Sequence, residues 1–279
     1  MNNALSVVMA TYNEKRDFLQ NCIQSILSQT YRDFEFLIVI EPGELNRDYL
    51  NHVAASDSRV RIIENDTRMG VAASRNRAIT ESRGEFVALM DGDDYCEVTR
   101  FEKQVSFLEK NPDVSVIGAN MYLIDEKDRI IGERRYPQFH EDIKRSFLLV
   151  MAVANPAVMT RLADLKDVGL FDNRFSKAED VELWLRFLAR KKKMYNLPEY
   201  LVYYRVMSNS NEKRGRTHYQ NFYLARKRYN KLIWPVYLSS LSLSFFFLLS
   251  HIPNGFLDIL LNLGITEKLK SIKRGHALQ

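Results

Sequence analysis

Apolar runs alternate with segments of helical periodicity in the first half of the chain. Continuous apolar runs at residues 5–9 and 34–40 are typical of parallel strands that are buried on both faces. Between them, apolar side chains recur at helical spacing from Leu19 to Leu27, which predicts an amphipathic helix. The same patterns predict strands at 60–63, 85–90 and 114–117, and helices at 72–82 and 98–110. We therefore expect an α/β fold with a mostly parallel, doubly wound sheet flanked by helices.

The second half of the chain is less regular. Residues 121–124 and 129–132 flank a polar segment at 125–128, which predicts a β-hairpin. A helix is expected from about 178 to 191, followed by a strand near 201–204. We divide the chain into a body at 1–212 and a tail at 213–279 that differs from it in composition.

The tail combines a long apolar run with basic flanks. Residues 232–257 carry no formal charge with His251 neutral, and the 17 residues between Pro235 and Pro253 are at the lower limit for crossing a bilayer. Residues 213–279 hold 11 Lys and Arg against two Asp and Glu, whereas the body is net negative. Basic residues on both sides of an apolar run favour the anionic cytoplasmic face of a membrane. We predict helical attachment to that face, in plane or as a re-entrant hairpin; the alternative is a helical pair that covers the sheet or forms a dimer interface.

Composition and charge exclude several classes of protein. An apolar fraction of 46% and a charged fraction of 27% are those of a globular protein. There are two cysteines, and Cys22 lies on an apolar helical stripe, so we expect a buried thiol in a reducing compartment. The first ten residues lack a basic segment and a long apolar core, so no secretory signal is expected. Because the net positive charge belongs to the tail, we expect no nucleic-acid partner.

Acidic residues follow two of the predicted strands and open one predicted helix. Glu41 follows the strand that ends at 40, Asp91 and Asp93 follow the strand that ends at 90, and Asp180 begins the helix at 178–191. Ligands of such sheets bind beyond the carboxyl ends of the strands. A nucleoside diphosphate needs a divalent cation, and carboxylate oxygens suit Mg²⁺ or Mn²⁺. A D-x-D triplet alone is more typical of a solvated turn, but its place after an apolar strand favours a ribose and metal site.

Two further segments fit a nucleotide site. Residues 10–13 lie where the first strand ends, and a backbone turn there can hold a base or a ribose. Arg75 follows Gly70 closely, and its guanidinium suits a diphosphate in geometry and in permanent charge. Taken alone, Arg75 also fits an exposed helix residue.

Six segments in this order resemble the family 2 glycosyltransferases of the GT-A fold, of the type that assembles bacterial surface polysaccharides. The resemblance covers about residues 4–210. The segments are 6–13 (SVVMATYN), 26–31 (ILSQTY), Gly70 with 74–76 (SRN), 90–94 (MDGDD), 169–172 (GLFD) and 179–184 (EDVELW). Each is common by itself, and the specificity comes from finding all six together.

The resemblance implies a nucleotide-binding half at about 1–118 and an acceptor-side half at 119–212. Thr11 and Tyr12 lie in the nucleotide-binding turn, Glu41 matches the acid that contacts the uracil, and Asp91 matches the carboxylate that faces the ribose. Arg75 is expected near the diphosphate of the UDP-sugar. Base recognition departs from the family in one respect, because the family usually has two acids after the second strand and this chain has Ile40 before Glu41.

The resemblance also implies the chemistry. Asp93 matches the metal ligand, and Asp180 matches the catalytic base that deprotonates the acceptor hydroxyl. Attack opposite the departing UDP inverts the anomeric centre. Many relatives have a metal-binding His where this chain has Met207, and a thioether is a poor ligand for Mn²⁺ or Mg²⁺. His218 is a possible substitute, although an ordinary surface histidine is the commoner case.

The resemblance and the tail together predict an inverting, UDP-sugar-dependent hexosyltransferase of surface polysaccharide biosynthesis, such as O-antigen or capsule. We expect a glycan acceptor that is lipid-linked, and a cytoplasmic enzyme on the inner face of the membrane. Two alternatives remain open. A sugar-nucleotide nucleotidylyltransferase has a similar sheet but needs a Gly-rich phosphate loop, which residues 10–13 do not supply. A non-catalytic membrane-attached module that binds nucleotide sugars is disfavoured by the intact acidic residues.

Overall fold

The computed structural model describes residues 4–175, 177–207 and 216–251. The chain forms two compact units, Met1–Val206 and Met207–Gln279. The first holds the sheet and its helices, and the described part of the second holds two helices.

Strands and helices alternate through the first half, as the apolar pattern predicts. The strands are β1 (Leu5–Thr11), β2 (Phe34–Ile40), β3 (Val60–Glu64) and β4 (Phe86–Asp91). The intervening helices are α1 (Arg16–Leu27), α2 (Arg47–Ser56) and α3 (Val71–Glu81). Helix α2 was not predicted, because it buries only Leu50 and Val53 and therefore has no recognisable apolar stripe.

The register of these strands brings their carboxyl ends to one edge of the sheet. Strand β1 pairs in parallel with β2 and β4, and β2 pairs in parallel with β3. Thr11 is opposite Ile40, and Ala10 is opposite Asp91. All seven residues of β2 are buried, as expected for a strand with both faces covered. The residues that follow β1, β2 and β4 are therefore neighbours in space.

The second half completes a nine-stranded sheet. It contains β5 (Tyr95–Cys96), α4 (Arg100–Lys110), β6 (Val114–Ile124), β7 (Ile130–Arg134), α5 (His140–Ser146), β8 (Met159–Arg161), α6 (Leu162–Val168), α7 (Glu179–Ala189) and β9 (Lys193–Arg205). The strand order is β3-β2-β1-β4-β8-β6-β9-β5, with β7 paired to β6. Strands β6 and β9 are parallel, whereas β8 is antiparallel to both β4 and β6. The prediction of a mostly parallel α/β sheet is confirmed.

Two features of this half differ from the sequence expectations. The strands expected at 114–117 and 121–124 form a single strand, β6, whose pairing with β9 contains register shifts. The strand expected near 201–204 is only the end of β9, which begins at Lys193 and has polar residues that obscure the apolar pattern. The hairpin is present, because β6 and β7 pair antiparallel around residues 125–128. Both cysteines are free and buried, as expected for Cys22.

The described part of the tail is helical. Helix α8 (Arg216–Ile233) ends shortly before Pro235, and α9 (Val236–His251) follows it. The amide of Asn230 donates to the hydroxyl of Ser242 over 3.0 Å, which joins the two helices. Within the described ranges, no helix is both long enough and apolar enough to cross a membrane. Pro253 and the second apolar stretch of the tail lie outside the described residues.

Candidate functional site

A buried arginine joins two acidic segments at the carboxyl edge of the sheet. Arg75 lies in α3, and its Nη2 is 2.5 Å from Oδ1 of Asp91, at the end of β4. Its Nη1 is 3.1 Å from Oε1 of Glu179, the first residue of α7. Burial alone would lower the pKa of Arg75, but Asp91 and Glu179 raise it above its ordinary value. The guanidinium therefore stays charged and holds the ends of β4 and α7 together, which excludes the interpretation of Arg75 as an exposed helix residue.

Asp180 is the second residue of α7 and has an unusual protonation equilibrium. Burial raises its pKa from 3.8 to about 7, and the adjacent Glu179 adds to the increase. The backbone N–H of Val181, 2.8 Å from Oδ1, and the charge of Arg75 act in the opposite direction. A carboxylate whose pKa lies near neutrality is suited to accept and release a proton at physiological pH.

The backbone before α7 is strained at one residue. Ala178 immediately precedes the helix and has φ of 85°, a left-handed conformation that is unfavourable for a residue with a Cβ. Strain of this kind persists where the surrounding structure enforces it, often at functional sites. Here it occurs directly before Glu179 and Asp180, where the chain turns into the helix that carries both carboxylates.

The D-x-D segment is held in place by Arg205, at the end of β9. Its Nε donates to the backbone oxygen of Asp93 over 2.9 Å, and its backbone N–H donates to Oδ1 of Asp94 over 2.7 Å. Its Nη1 and Nη2 donate to the Asp125 carbonyl and to the Asp128 carboxylate of the β6–β7 hairpin. The side chain of Arg205 is fully buried. It therefore fixes the backbone that carries the predicted metal ligand, a role that the sequence analysis missed.

The donor set fits a metal that is shared with a substrate. Among the described residues, no three His, Cys, Asp or Glu side chains are grouped closely enough to hold a metal ion by themselves. Asp91 and Asp93 offer hard carboxylate oxygens at the edge of the sheet and are both partly accessible. Mg²⁺ usually combines one or two such carboxylates with phosphate oxygens and water. The residues present fit that arrangement and do not fit an all-protein cage.

Glu41 organises the loop that leads into α3. Its carboxylate accepts hydrogen bonds from the backbone N–H groups of Met69 and Gly70, each over 2.9 Å, and from the hydroxyl of Ser74 over 2.7 Å. Burial would raise the pKa of Glu41, but these hydrogen bonds lower it below its ordinary value. The ionised side chain thereby fixes the start of the helix that carries Arg75. Ile40, where the family usually has an acid, is fully buried as the last residue of β2.

The turn after β1 lies at the same edge. The Thr11 hydroxyl is buried and makes no hydrogen bond within the described part of the chain. A Cβ added to Gly92 would lie 3.3 Å from that hydroxyl, so the D-x-D turn approaches Thr11 closely. The Tyr12 ring is covered by the guanidinium of Arg68, 4.1 Å from the ring centre. Arg68 was not anticipated, because a single arginine in a loop carries no recognisable pattern.

Several candidates from the sequence thus meet at one edge of the sheet. Arg75 and Asp91 are in direct contact, and Asp180 follows the Glu179 that Arg75 binds. Thr11 ends β1, and Glu41 directly follows the neighbouring strand β2. Met207 and His218 belong to the second unit, and His218 lies in α8.

Comparison with known proteins identifies the family. The model of glycosyl transferase family 2 matches residues 6–167. An uncharacterized glycosyltransferase of Methanocaldococcus jannaschii is 30% identical, with 98% of this chain and 97% of that protein covered. The UDP-Glc:alpha-D-GlcNAc-diphosphoundecaprenol beta-1,3-glucosyltransferase WfaP of Escherichia coli is 30% identical, covering 74% of this chain and 78% of WfaP.

Solved structures agree on the fold. Residues 1–349 of S. aureus TarS, crystallised in complex with UDP-GlcNAc, superpose with a TM-score of 0.70 at 18% identity, covering 87% of this chain and 71% of that one. The family model spans more than half of the chain. The chain therefore belongs to glycosyl transferase family 2 and has the GT-A fold.

Proposed function

We propose that this protein transfers a hexose or an N-acetylhexosamine from a UDP-sugar to a lipid-linked glycan, with inversion at the anomeric carbon. The observation that carries the proposal is the pKa of about 7 at Asp180, beside the ion-paired cluster of the buried Arg75 with Asp91 and Glu179. A general base needs a pKa near the working pH, and this carboxylate has one at the edge of the sheet where ligands of this fold bind.

In the proposed reaction Asp180 accepts the proton of the acceptor hydroxyl. The acceptor oxygen forms a bond to the anomeric carbon as the bond from that carbon to the UDP oxygen breaks, and UDP leaves with the electron pair. Attack from the face opposite UDP converts an α-linked donor into a β-glycoside. Each step therefore balances without an oxidant or a further reactant.

Other residues at this edge bind the donor in this proposal. Thr11 and Tyr12 contact the nucleoside, Glu41 the uracil and Asp91 the ribose, while Arg75 offsets negative charge near the diphosphate. Asp93, supported by Arg205, holds Mn²⁺ or Mg²⁺ together with the diphosphate. Such a metal, when bound, stabilises the charge that develops on the leaving group. Oε2 of Glu41 accepts a hydrogen bond from the backbone N–H of Met69, and in this proposal the same oxygen also accepts one from the uracil.

The nature of the acceptor is inferred from relatives. WfaP and WfgD of Escherichia coli are both named as glucosyltransferases that act on GlcNAc-diphosphoundecaprenol, and WfgD is 29% identical over 66% of this chain. The TarS structure contains UDP-GlcNAc. These names support a UDP-sugar donor and a lipid-linked acceptor in polysaccharide biosynthesis. A lipid-linked acceptor also suits attachment of the basic, apolar tail to the inner face of the cytoplasmic membrane.

The test is a panel of UDP-sugars assayed by UDP release, with and without Mn²⁺, using a GlcNAc-diphospholipid as acceptor. We expect acceptor-dependent UDP release and, by NMR of the product, a β-linkage. Asp180→Asn should slow transfer by roughly 10²–10⁴, whereas the control Asp57→Asn changes an aspartate paired with Arg59 away from α7 and should not. Pyrophosphate exchange instead of UDP release would indicate a nucleotidylyltransferase, and donor binding without either activity would indicate a binding module.

A further inference from the structure

Helix α9 exposes six large apolar residues and buries three of its five serines, which is unusual for a helix of a water-soluble bundle. Its buried positions are three serines and one phenylalanine, at helical spacing: Ser239, Ser242, Phe246 and Ser250. Its exposed apolar residues, here called the apolar face, are Val236, Tyr237, Leu241, Phe245, Phe247 and Leu248. Tyr237, Leu241 and Leu248 are each at least 65% exposed. A helix that packs in water normally buries its large apolar residues and exposes its serines.

The polar face of α9 packs against α8. The Asn230 amide donates to Ser242, and the guanidinium of Arg226 lies 3.9 Å from the centre of the Phe246 ring. Arg226 and Asn230 are both fully buried, so the interior of this hairpin is polar and charged. These contacts place Ser242 and Phe246 against α8. Phe247, at the border of the apolar face, also contacts Tyr223 of α8, with the ring centres 5.6 Å apart.

The opposite side of α8 is basic. Lys227, Arg228 and Lys231 are exposed, and the sequence from 216 to 251 contains no Asp or Glu. On the α8 helix these residues lie on the side away from the buried positions Ala225, Arg226, Tyr229 and Asn230. The hairpin therefore exposes apolar residues on its α9 side, and on its α8 side it exposes basic residues together with Leu224 and Leu232.

A lipid bilayer is the surroundings that this distribution suits. Contiguous exposed apolar surface is unfavourable in water, whereas in lipid small polar residues such as serine lie between helices and charged residues face the protein interior. Helix α9 has 16 residues, a length of about 24 Å that is shorter than the roughly 30 Å hydrocarbon core. It is thus suited to lie within one leaflet.

We propose that α9 embeds its apolar face in the acyl layer of one leaflet of an anionic phospholipid bilayer, with α8 above it at the level of the headgroups. The proposal deepens the membrane attachment proposed above and rests on it. Packed helices lie about 8–10 Å apart, so α8 lies at the level of the headgroups, where the long side chains of Lys227, Arg228 and Lys231 bend towards the lipid phosphates. The apolar face is the docking surface, and the basic side adds a preference for anionic lipid.

The experiment is flotation of the full-length protein on phosphatidylcholine vesicles that contain one quarter phosphatidylglycerol. We expect the double variant Leu241→Asp/Leu248→Asp to bind vesicles at least about a hundredfold more weakly, because each carboxylate would have to enter the acyl layer. The matched control is Ile130→Asp/Ile131→Asp in β7, whose side chains are 57% and 56% exposed and which should bind as the wild type does. Raising the salt concentration should weaken binding by less than about tenfold, because apolar insertion is not screened.

A fluorescent label measures insertion directly. Both native cysteines are buried, so a cysteine that replaces Phe245 or Ile131 can be labelled selectively with an environment-sensitive dye. The label at 245 should shift to the blue on addition of vesicles, and the label at 131 should not. Unchanged emission at 245, or flotation of the Leu241→Asp/Leu248→Asp variant equal to wild type, overturns the role of α9.

Two other outcomes separate this inference from the broader proposals. A wild-type protein that does not float contradicts membrane attachment altogether, while UDP release in detergent tests the donor chemistry independently. The wild type could instead be a dimer in vesicle-free buffer. If Leu241→Asp/Leu248→Asp converts that dimer to a monomer and leaves flotation unchanged, the apolar face binds a second copy and the inference is overturned.

Discussion

The charge of Glu179 raises the pKa of its neighbour Asp180, and we predict that Glu179→Gln shifts the pH profile of transfer to lower pH. Burial is the largest cause of the raised pKa and Glu179 is the second, whereas Val181 and Arg75 lower it. Glutamine removes the negative charge but keeps an oxygen that can accept the hydrogen bond of Arg75 Nη1. The variant therefore isolates the electrostatic contribution from the positions of the side chains.

The size of the effect follows from the pKa of about 7. The larger contribution of burial is unchanged in the variant, so the pKa should remain well above 3.8. We expect a decrease of about one pH unit, equivalent to about 1.4 kcal/mol. At pH 6 the ionised fraction of Asp180 then rises from about 9% to about 50%, so kcat/KM at pH 6 relative to pH 8.5 increases about fivefold.

The assay is kcat/KM for UDP release from about pH 5 to about pH 9 at constant ionic strength, with saturating Mn²⁺. Arg75→Gln should move the acidic limb of the profile in the opposite direction, because Arg75 lowers the pKa of Asp180. The control is Glu81→Gln, which makes the same change of charge at the far end of α3, where Glu81 pairs with Arg61. An acidic limb that stays in place or moves to higher pH in Glu179→Gln would refute the assignment of Asp180 as the base that this charge controls.

Four further predictions concern the base, the stability of the fold, the metal and the support of the D-x-D loop. Asp180→Asn should retain UDP binding but lose roughly 10²–10⁴ in turnover, and near-normal turnover would remove Asp180 from the mechanism. The same variant should raise the urea midpoint of unfolding at about pH 8 and leave it nearly unchanged at about pH 4. The reason is that the native wild-type protein binds the Asp180 proton more tightly than the unfolded chain does, so the wild type loses stability as pH rises through about 7. Asp93→Ala should weaken Mn²⁺-dependent UDP binding, measured by calorimetry. Met207→His should strengthen that binding or leave it unchanged, because imidazole is a better ligand for Mn²⁺ than a thioether. UDP binding by the wild type that does not depend on metal would contradict both expectations. Arg205→Ala should destabilise the protein by about 3 kcal/mol or more, because it leaves buried acceptors without their partner. It should also weaken Mn²⁺ binding to the UDP complex, measured by electron paramagnetic resonance, and Arg205→Lys should partly restore that binding. Metal binding equal to wild type would limit Arg205 to a structural role.

Patterns that repeat over several residues were readable from the sequence. The buried strands β1, β2 and β4 are continuous apolar runs, and α1 has a regular apolar stripe, so their positions and the parallel arrangement followed from periodicity. Helix α2 escaped detection because it buries two side chains, and β6 appeared as two strands because its pairing is irregular. The acidic candidates were identifiable because they follow strands whose carboxyl ends must meet at one edge.

Interactions between distant segments needed the tertiary structure. Residue order does not reveal that Arg75 binds Glu179, 104 positions away, or that Arg205 binds the backbone of Asp93, 112 positions away. The pKa of Asp180 likewise depends on burial and on charges brought by other elements. In the tail, the sequence alone predicted an apolar and basic segment. Only the packing of α8 on α9 decided that Ser242 and Phe246 face inward while Leu241 and Leu248 face outward, because the side that a helix buries is set by its neighbour and not by its own periodicity.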